Sequence, residues 1–176
     1  MTTIRITETG ADRAAIEIEG YRWETTLTPI FTDAEEAELD WYFEEWLRFP
    51  FTDPARAANV ADGITTYGHA LFGQLFVNAD AYSTCDRIQR EFGIESIRFE
   101  IVGSPAFHSL HWEALKDPRF PKPFVLLAPM VRKNTVQPAV EARPNDSATF
   151  NLLVVTARPD EGKDVGYRTR GCPGRC

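Results

Sequence analysis

The sequence predicts an α/β layered fold, in which an amino-terminal β-hairpin precedes a layer of helices and then further strands. Three observations predict it. Apolar residues alternate in the first segment, recur every three or four residues in the middle, and then return to alternation or to short continuous runs. The predicted regions are a β-hairpin over 1–30, helices and strands over 31–132, a linker over 133–149, and a core strand with a tail over 150–176.

The first region alternates as an exposed strand pair does. Ile4 and Ile6 are separated by a polar residue, and Ile16 and Ile18 repeat the pattern after a polar stretch. Because successive side chains of a strand point to opposite faces, this pattern predicts a half-exposed antiparallel hairpin. A third strand is predicted at 21–27.

The first predicted helix begins at a capping box formed by Thr32 and Glu35, and Pro50 ends it. Its apolar residues recur at helical spacing and make a strongly aromatic face. We expect this face to lie in the core, with a ligand cage as the alternative. The residues of this face and its neighbours are Leu39, Trp41, Tyr42, Phe43, Trp46 and Leu47.

Two more helices are predicted. Asp53 and Pro54 supply a cap and a first-turn proline for the second, whose apolar residues are Val60, Ile64, Leu71, Phe72, Leu75 and Phe76. The third begins at Asn78 or Asp80 and ends at Gly93. Its inward residues are predicted to be Ala81, Cys85, Ile88 and Phe92.

Strands are predicted again after these helices. Residues 97–101 alternate and stop at Gly103, and a short helical turn is expected at 109–115. The runs 124–131 and 152–156 are continuously apolar, which is typical of strands buried on both faces.

Composition excludes several classes of partner. The chain of 176 residues has a net charge of −7, with 43 % hydrophobic and 26 % charged residues. Nucleic acids and anionic membrane surfaces select clustered Lys and Arg, so we expect neither as a partner. No apolar run is long enough to cross a bilayer, and from the alternating pattern of the first residues we expect no secretory leader. Since three cysteines are too few for a disulfide framework, we expect a soluble cytoplasmic protein.

Two histidines and a glutamate resemble the outline of a metal site. His108 and His111 are three residues apart, with Glu113 nearby. Zinc needs a further protein ligand, and the familiar zinc helix places its histidines four apart. We therefore expect a polar surface turn, and the sequence predicts no metal or cofactor.

The cysteines offer two further hypotheses. Cys85 and His69 suggest a nucleophile with its base, but Cys85 lies on a predicted apolar face, where a free cysteine packs as a small hydrophobe. Cys172 and Cys176 suggest a soft-metal chelate or a disulfide, but they lie in a glycine-rich tail that we expect to be unstructured. No phosphate-binding glycine loop and no GxSxG elbow occurs.

The block Leu110-His-Trp-Glu-Ala-Leu-Lys-Asp-Pro118 resembles the Leu-Pro-Trp-Glu-Leu-Leu block of CHAT domains, caspase-like modules often found with TPR repeats in bacteria. The helix at 67–76, the apolar strand 124–132 ending in Arg132, and the strand and loop at 151–159 follow the order of that family. Where the family has proline, this chain has His111. Trp112, Glu113 and Arg132 are the structural motif residues that this resemblance singles out.

The resemblance implies a partial caspase-like fold of the cysteine peptidase type. In that family the catalytic histidine and cysteine follow later strands, in His-Gly-like and Ala-Cys-like turns, and this sequence has neither. We therefore expect the amino-terminal portion of such a domain, truncated before its dyad and inactive alone, which needs a protein partner or the missing carboxy-terminal half. The alternative is a protein-interaction module that uses a sheet edge or the aromatic helix face.

Overall fold

One mixed sheet organises the computed structural model, which describes residues 1–135. Its strand order is β3-β2-β1-β4-β5. β1 to β3 form an antiparallel meander, while β4 pairs in parallel with β1, and β5 with β4. The strands are β1 (Thr2–Gly10), β2 (Arg13–Ile18), β3 (Tyr21–Thr26), β4 (Ile97–Gly103) and β5 (Met130–Asn134).

Helices follow the meander and precede β4. They are α1 (Asp33–Trp41), α2 (Pro54–Leu75) and α3 (Ala79–Phe92), with the short α4 (Pro105–His108) after β4. A π-helical turn, Tyr42–Trp46, continues α1. The predicted α/β layered fold is therefore confirmed, together with the hairpin, its third strand and the order of the three main helices.

The predicted helix caps are present as hydrogen bonds. Glu35 accepts from the Thr32 backbone amide at 2.7 Å, and Thr32 accepts in return from Glu35, which completes the capping box. Asp53 accepts from the amide of Arg56 at the start of α2. Asn78 begins α3 by accepting from two amides, and Gly93 ends it.

The helices pack on one face of the sheet, and the other face is charged. Ile4 pairs with Ile18 and Ile6 with Ile16 across the first two strands, and all four are fully buried. They join the residues of α2 and α3 in one core. The opposite face carries side chains that pair in ionic contacts, among them Arg5, Glu17, Arg22, Glu100 and Lys133.

The prediction of an apolar strand over 124–131 is wrong. Phe124 is fully buried but begins a short 3₁₀ turn, and β5 starts only at Met130. Proline at 121, 123 and 129 explains the difference, because proline fixes φ and has no N–H for a ladder. The predicted linker also starts too early, since Lys133 and Asn134 belong to β5. The predicted strand 152–156 lies outside the described residues.

Two predictions of burial are wrong as well. Phe92 is 53 % exposed, because it lies in the last turn of α3. The aromatic face of the first helix is not core: Leu39 is buried, but Trp41, Tyr42 and Trp46 are only half-buried and Phe43 is exposed. The periodicity identified an apolar face, but α2 covers only part of it, with Arg56 lying over the ring of Trp41.

None of the helices described for residues 1–135 has the length and apolar composition of a membrane span.

Candidate functional site

The Trp-Glu turn, residues 110–118, lies between β4 and β5. Ser104 caps α4 directly after β4, and the chain then turns through a 3₁₀ segment at Trp112–Ala114. The Trp112 ring is fully buried, and its indole Nε1 donates to the carbonyl oxygen of Phe107 at 2.8 Å. The burial of a large ring and the use of its polar atom fix the turn against the end of the sheet.

Glu113 and Arg132 form a two-pronged ion pair. Arg132 Nε lies 3.1 Å from Glu113 Oε1, and Nη2 lies 2.5 Å from Oε2. A further guanidinium nitrogen donates to the carbonyl oxygen of His108. Bidentate arginine–carboxylate pairs are geometrically specific, so this contact ties β5 to the turn. Glu113 thus accepts from the guanidinium of a residue on β5.

Helix α2 contacts the same turn at a glycine. The Gly68 carbonyl accepts from the amide of Lys116 at 3.2 Å. A Cβ at this position would lie 1.9 Å from the carbonyl oxygen of Ala114. The close approach requires glycine, and it places the turn directly on the helix.

The two histidines bond to separate elements. His108 Nε2 lies 3.0 Å from the carbonyl oxygen of Lys133, and His111 Nε2 lies 2.8 Å from Glu36 Oε2. Glu113 is engaged with Arg132. The structure therefore does not gather these three side chains into a ligand set. Within residues 1–135, no group of three or more His, Cys, Asp or Glu side chains has the geometry to hold a metal ion.

Cys85 is buried in α3, as its place on the apolar face indicated. Burial raises the pKa of its thiol to about 12, and its polar neighbour is Gln89 Nε2 at 3.2 Å. A thiol in that environment stays protonated at neutral pH and is a poor nucleophile. His69 lies on α2 and makes no hydrogen bond to Cys85. Cys172 and Cys176 lie outside the described residues.

An apolar cavity of about 410 Å³ lies between α1, α2 and the Trp-Glu turn. No local pattern of residues predicts this cavity, because its walls come from three separated segments. Its polar lining residues, His111 and Glu113, are already bonded to Glu36 and Arg132. The apolar lining residues are Phe31, Leu39, Phe43, Ile64, Tyr67, Ala114 and Pro123.

A buried carboxylate was also missed by sequence reasoning. Asp117 is 1 % exposed, and Arg119 donates to it from Nε at 3.0 Å and from Nη2 at 2.6 Å. Arg119 also pairs with Asp86 of α3 and lies over the ring of Tyr82 at 5.0 Å. These contacts join the Trp-Glu turn to α3. They hold structure together and leave no free acid or base for a reaction.

The described residues thus form a hydrogen-bonded junction with an apolar cavity beside it. Among them, the one cysteine, Cys85, makes no hydrogen bond to a histidine. Comparison with protein-family models, with curated proteins and with solved structures finds no significant match for this chain.

Proposed function

We propose that the chain is the amino-terminal portion of a CHAT-type, caspase-like domain and is not a peptidase by itself. The observation that supports this is the mutual packing of three of the four segments on which the resemblance rests, those within residues 1–135. The helix 67–76 meets the Trp-Glu turn at Gly68, the amide of Phe124 donates to Leu115 at 2.9 Å, and Arg132 pairs with Glu113. The segments that follow one another along the chain as they do in that family therefore also contact one another in the structure.

The lack of a dyad supports a non-catalytic role. The sequence has no His-Gly-like or Ala-Cys-like turn. Peptidase chemistry of this type needs a thiolate and an imidazole in hydrogen-bond reach, beside an oxyanion hole. The thiol of Cys85 is buried, and burial holds its pKa far above neutrality. The chain would serve as scaffold, and a reducing cytoplasm is the compartment that this role implies.

The proposed partner is a protein chain that supplies the remaining strands and the dyad. Among residues 1–135, β5 pairs with β4 on one side only. The second edge of a strand presents amide and carbonyl groups that can pair with another chain. The proposal therefore places the partner's first strand beside β5.

The test is purification of the tagged chain from its native host, with identification of bound chains by mass spectrometry. We expect background turnover of a fluorogenic peptide library by the chain alone. A bound chain should carry the His-Gly and Ala-Cys turns, and the mixture should hydrolyse peptides.

Two results would contradict the proposal. One is turnover by the chain alone that Cys85→Ala abolishes, since that would make the buried thiol a nucleophile. The other is a set of bound chains in which none carries either turn, since that would favour the alternative of a self-contained protein-interaction module.

A further inference from the structure

The aromatic segment, residues 41–51, exposes an unusual amount of apolar surface. Phe43 is 51 % exposed, Leu47 52 %, Phe49 66 % and Phe51 92 %. A single exposed apolar residue is ordinary, whereas several in one short segment mark an interaction site.

The rings of this segment hold one another in place. Tyr42 stacks on Trp46 with ring centroids 5.0 Å apart and meets Phe43 edge-on at 5.3 Å. Arg56 of α2 lies 3.7 Å over the ring of Trp41. The turn that carries these rings is π-helical, a geometry that recurs at functional sites.

The 410 Å³ cavity adjoins the aromatic segment, because Phe43 lines it. That volume falls within the range of ligand pockets, roughly 300–1,000 Å³. Its polar groups are already bonded, so the part of a ligand that enters it must be apolar. The cavity and the exposed apolar side chains beside it therefore form one continuous apolar surface.

The charges around this surface favour a partner with a positive charge. Residues 33–46 contain neither Lys nor Arg. Within the described part of the chain, Glu36, Glu38 and Glu44 pair with His111, Arg56 and Arg48, whereas Asp33, Asp40 and Glu45 are exposed and pair with no basic side chain there. The acidic residues of this stretch are Asp33, Glu35, Glu36, Glu38, Asp40, Glu44 and Glu45.

We propose that the aromatic segment and the adjoining cavity bind a cationic amphipathic segment of a protein partner. Its apolar side chains would enter the cavity beside Phe43 and cover Leu47, and its Lys or Arg side chains would face Asp33 and Asp40, which recur at seven-residue spacing with Leu47 on one side of the helix. This is helix-in-groove recognition with a basic ligand. The proposal is independent of the caspase-like resemblance, since it uses a surface that the proposed sheet-edge partner does not.

The test measures binding of a fluorescein-labelled helical peptide, made of Leu and Lys with an apolar face, to the full chain by fluorescence anisotropy. We expect saturable binding that Phe43→Ser with Leu47→Ser weakens about tenfold or more, as for residues that carry binding energy. Asp33→Asn with Asp40→Asn should weaken it too, and the wild-type affinity should fall as salt is raised.

Matched controls keep the result specific. Val77→Ser and Glu91→Gln with Glu95→Gln change exposed residues elsewhere and should leave the affinity unchanged. The same peptide with Glu in place of Lys should bind at least about tenfold more weakly, because the acidic rim repels it. Circular dichroism should show that every variant remains folded.

Three results would overturn the proposal. The first is equal binding by wild type and by the Phe43→Ser, Leu47→Ser variant. The second is self-association of the wild type in sedimentation that this variant abolishes, which would assign the surface to a second copy. The third is a wild-type chain that binds phosphatidylcholine vesicles but not the peptide, together with a variant that does not bind the vesicles. This result would assign the surface to a lipid membrane.

Discussion

At Gly68 the backbone of α2 lies against the Trp-Glu turn, with no room for a side chain. We expect Gly68→Ala to destabilise the fold by about 1–3 kcal/mol, the usual effect of overpacking, although alanine favours helices. Gly73→Ala in the same helix is the control, because a Cβ there meets nothing within 4 Å. It should stabilise by up to about 1 kcal/mol. Urea unfolding measures both, and equal signs for the two substitutions would contradict the close contact.

Cys85 should resist alkylation in the folded state. Burial raises the pKa of its thiol to about 12, so the thiolate is scarce at pH 8 and the reagent has no access to the sulfur. The measurement uses the Cys172→Ala, Cys176→Ala background, iodoacetamide, and mass spectrometry. We expect slow labelling without denaturant and rapid labelling in urea. Labelling of the folded chain at the rate of a free peptide thiol would show an open site.

Trp112 should contribute far more to stability than an exposed ring does. Trp112→Ala removes a fully buried ring, and such substitutions cost about 3–5 kcal/mol. Phe51, at 92 % exposed, provides the control, and its change to alanine should stay within about 0.5 kcal/mol. Thermal unfolding checks the pair. A midpoint unchanged by Trp112→Ala would mean that the ring is not in the core in solution.

Residue identity predicted some of these contacts and not others. Tryptophan in an apolar fold needs burial and a hydrogen-bond acceptor, and Trp112 has both. Glu113 was singled out, but its partner Arg132 lies nineteen positions further along the chain. A partner that distant becomes a neighbour only when the parallel strand β5 is in place. Residue type therefore predicted what Trp112 needs, and tertiary structure decided what Glu113 contacts.

At the scale of elements, the periodicity of apolar residues predicted whether a segment is a helix or a strand better than it predicted whether that element is buried. The capping box and the spacing of apolar residues placed α1 correctly, because both are local. They carried no information about what would cover the helix, and the aromatic face proved to be exposed. For β5 the predicted start of the element was wrong. An apolar run from Phe124 suggested a strand, whereas the flanking prolines prevent a strand until Met130.

Because α1 buries few side chains, we expect its amide hydrogens to exchange rapidly with solvent. Leu39 is its one buried residue, while α2 buries seven along its length. Regions with few buried contacts open locally at low free energy. We therefore expect amide hydrogens of 36–46 to exchange much faster than those of Leu71 and Leu75, as measured by NMR or mass spectrometry. Addition of the Leu and Lys peptide should slow exchange at 36–46. Equally slow exchange in both helices without peptide would show that α1 is already covered.

Across the whole molecule, the two faces of the sheet differ in how far the sequence predicted them. The residues of the apolar face can be predicted from the sequence, because alternation in β1, β2 and β4 places one set of side chains together. The ion pairs of the charged face cannot be predicted in this way. Glu100 receives Arg5, ninety-five positions away, and Lys133, thirty-three positions away. Such a cluster exists only after β4 has inserted between β1 and β5.

This cluster makes stability depend on pH. Glu100 is 6 % exposed. The hydrogen bond from Lys133 lowers the pKa of its carboxyl, burial opposes that effect, and Arg5 lowers the pKa further. Since the folded pKa lies below the unfolded one, which is about 4.3 for glutamate, the stabilisation is complete above the unfolded pKa. It is lost as pH falls through the folded pKa.

We expect Glu100→Gln to be less stable than wild type at pH 7, and this difference to shrink as pH falls from about 5 through the folded pKa of Glu100. Urea unfolding of both chains across that range measures it. Glu95→Gln is the control, because Glu95 is exposed and makes no ion pair within residues 1–135, so its difference from wild type should stay near zero. A gap between wild type and Glu100→Gln that stays constant with pH would mean that Glu100 titrates alike in the folded and unfolded chains. The contacts from Lys133 and Arg5 would then not favour its charged form.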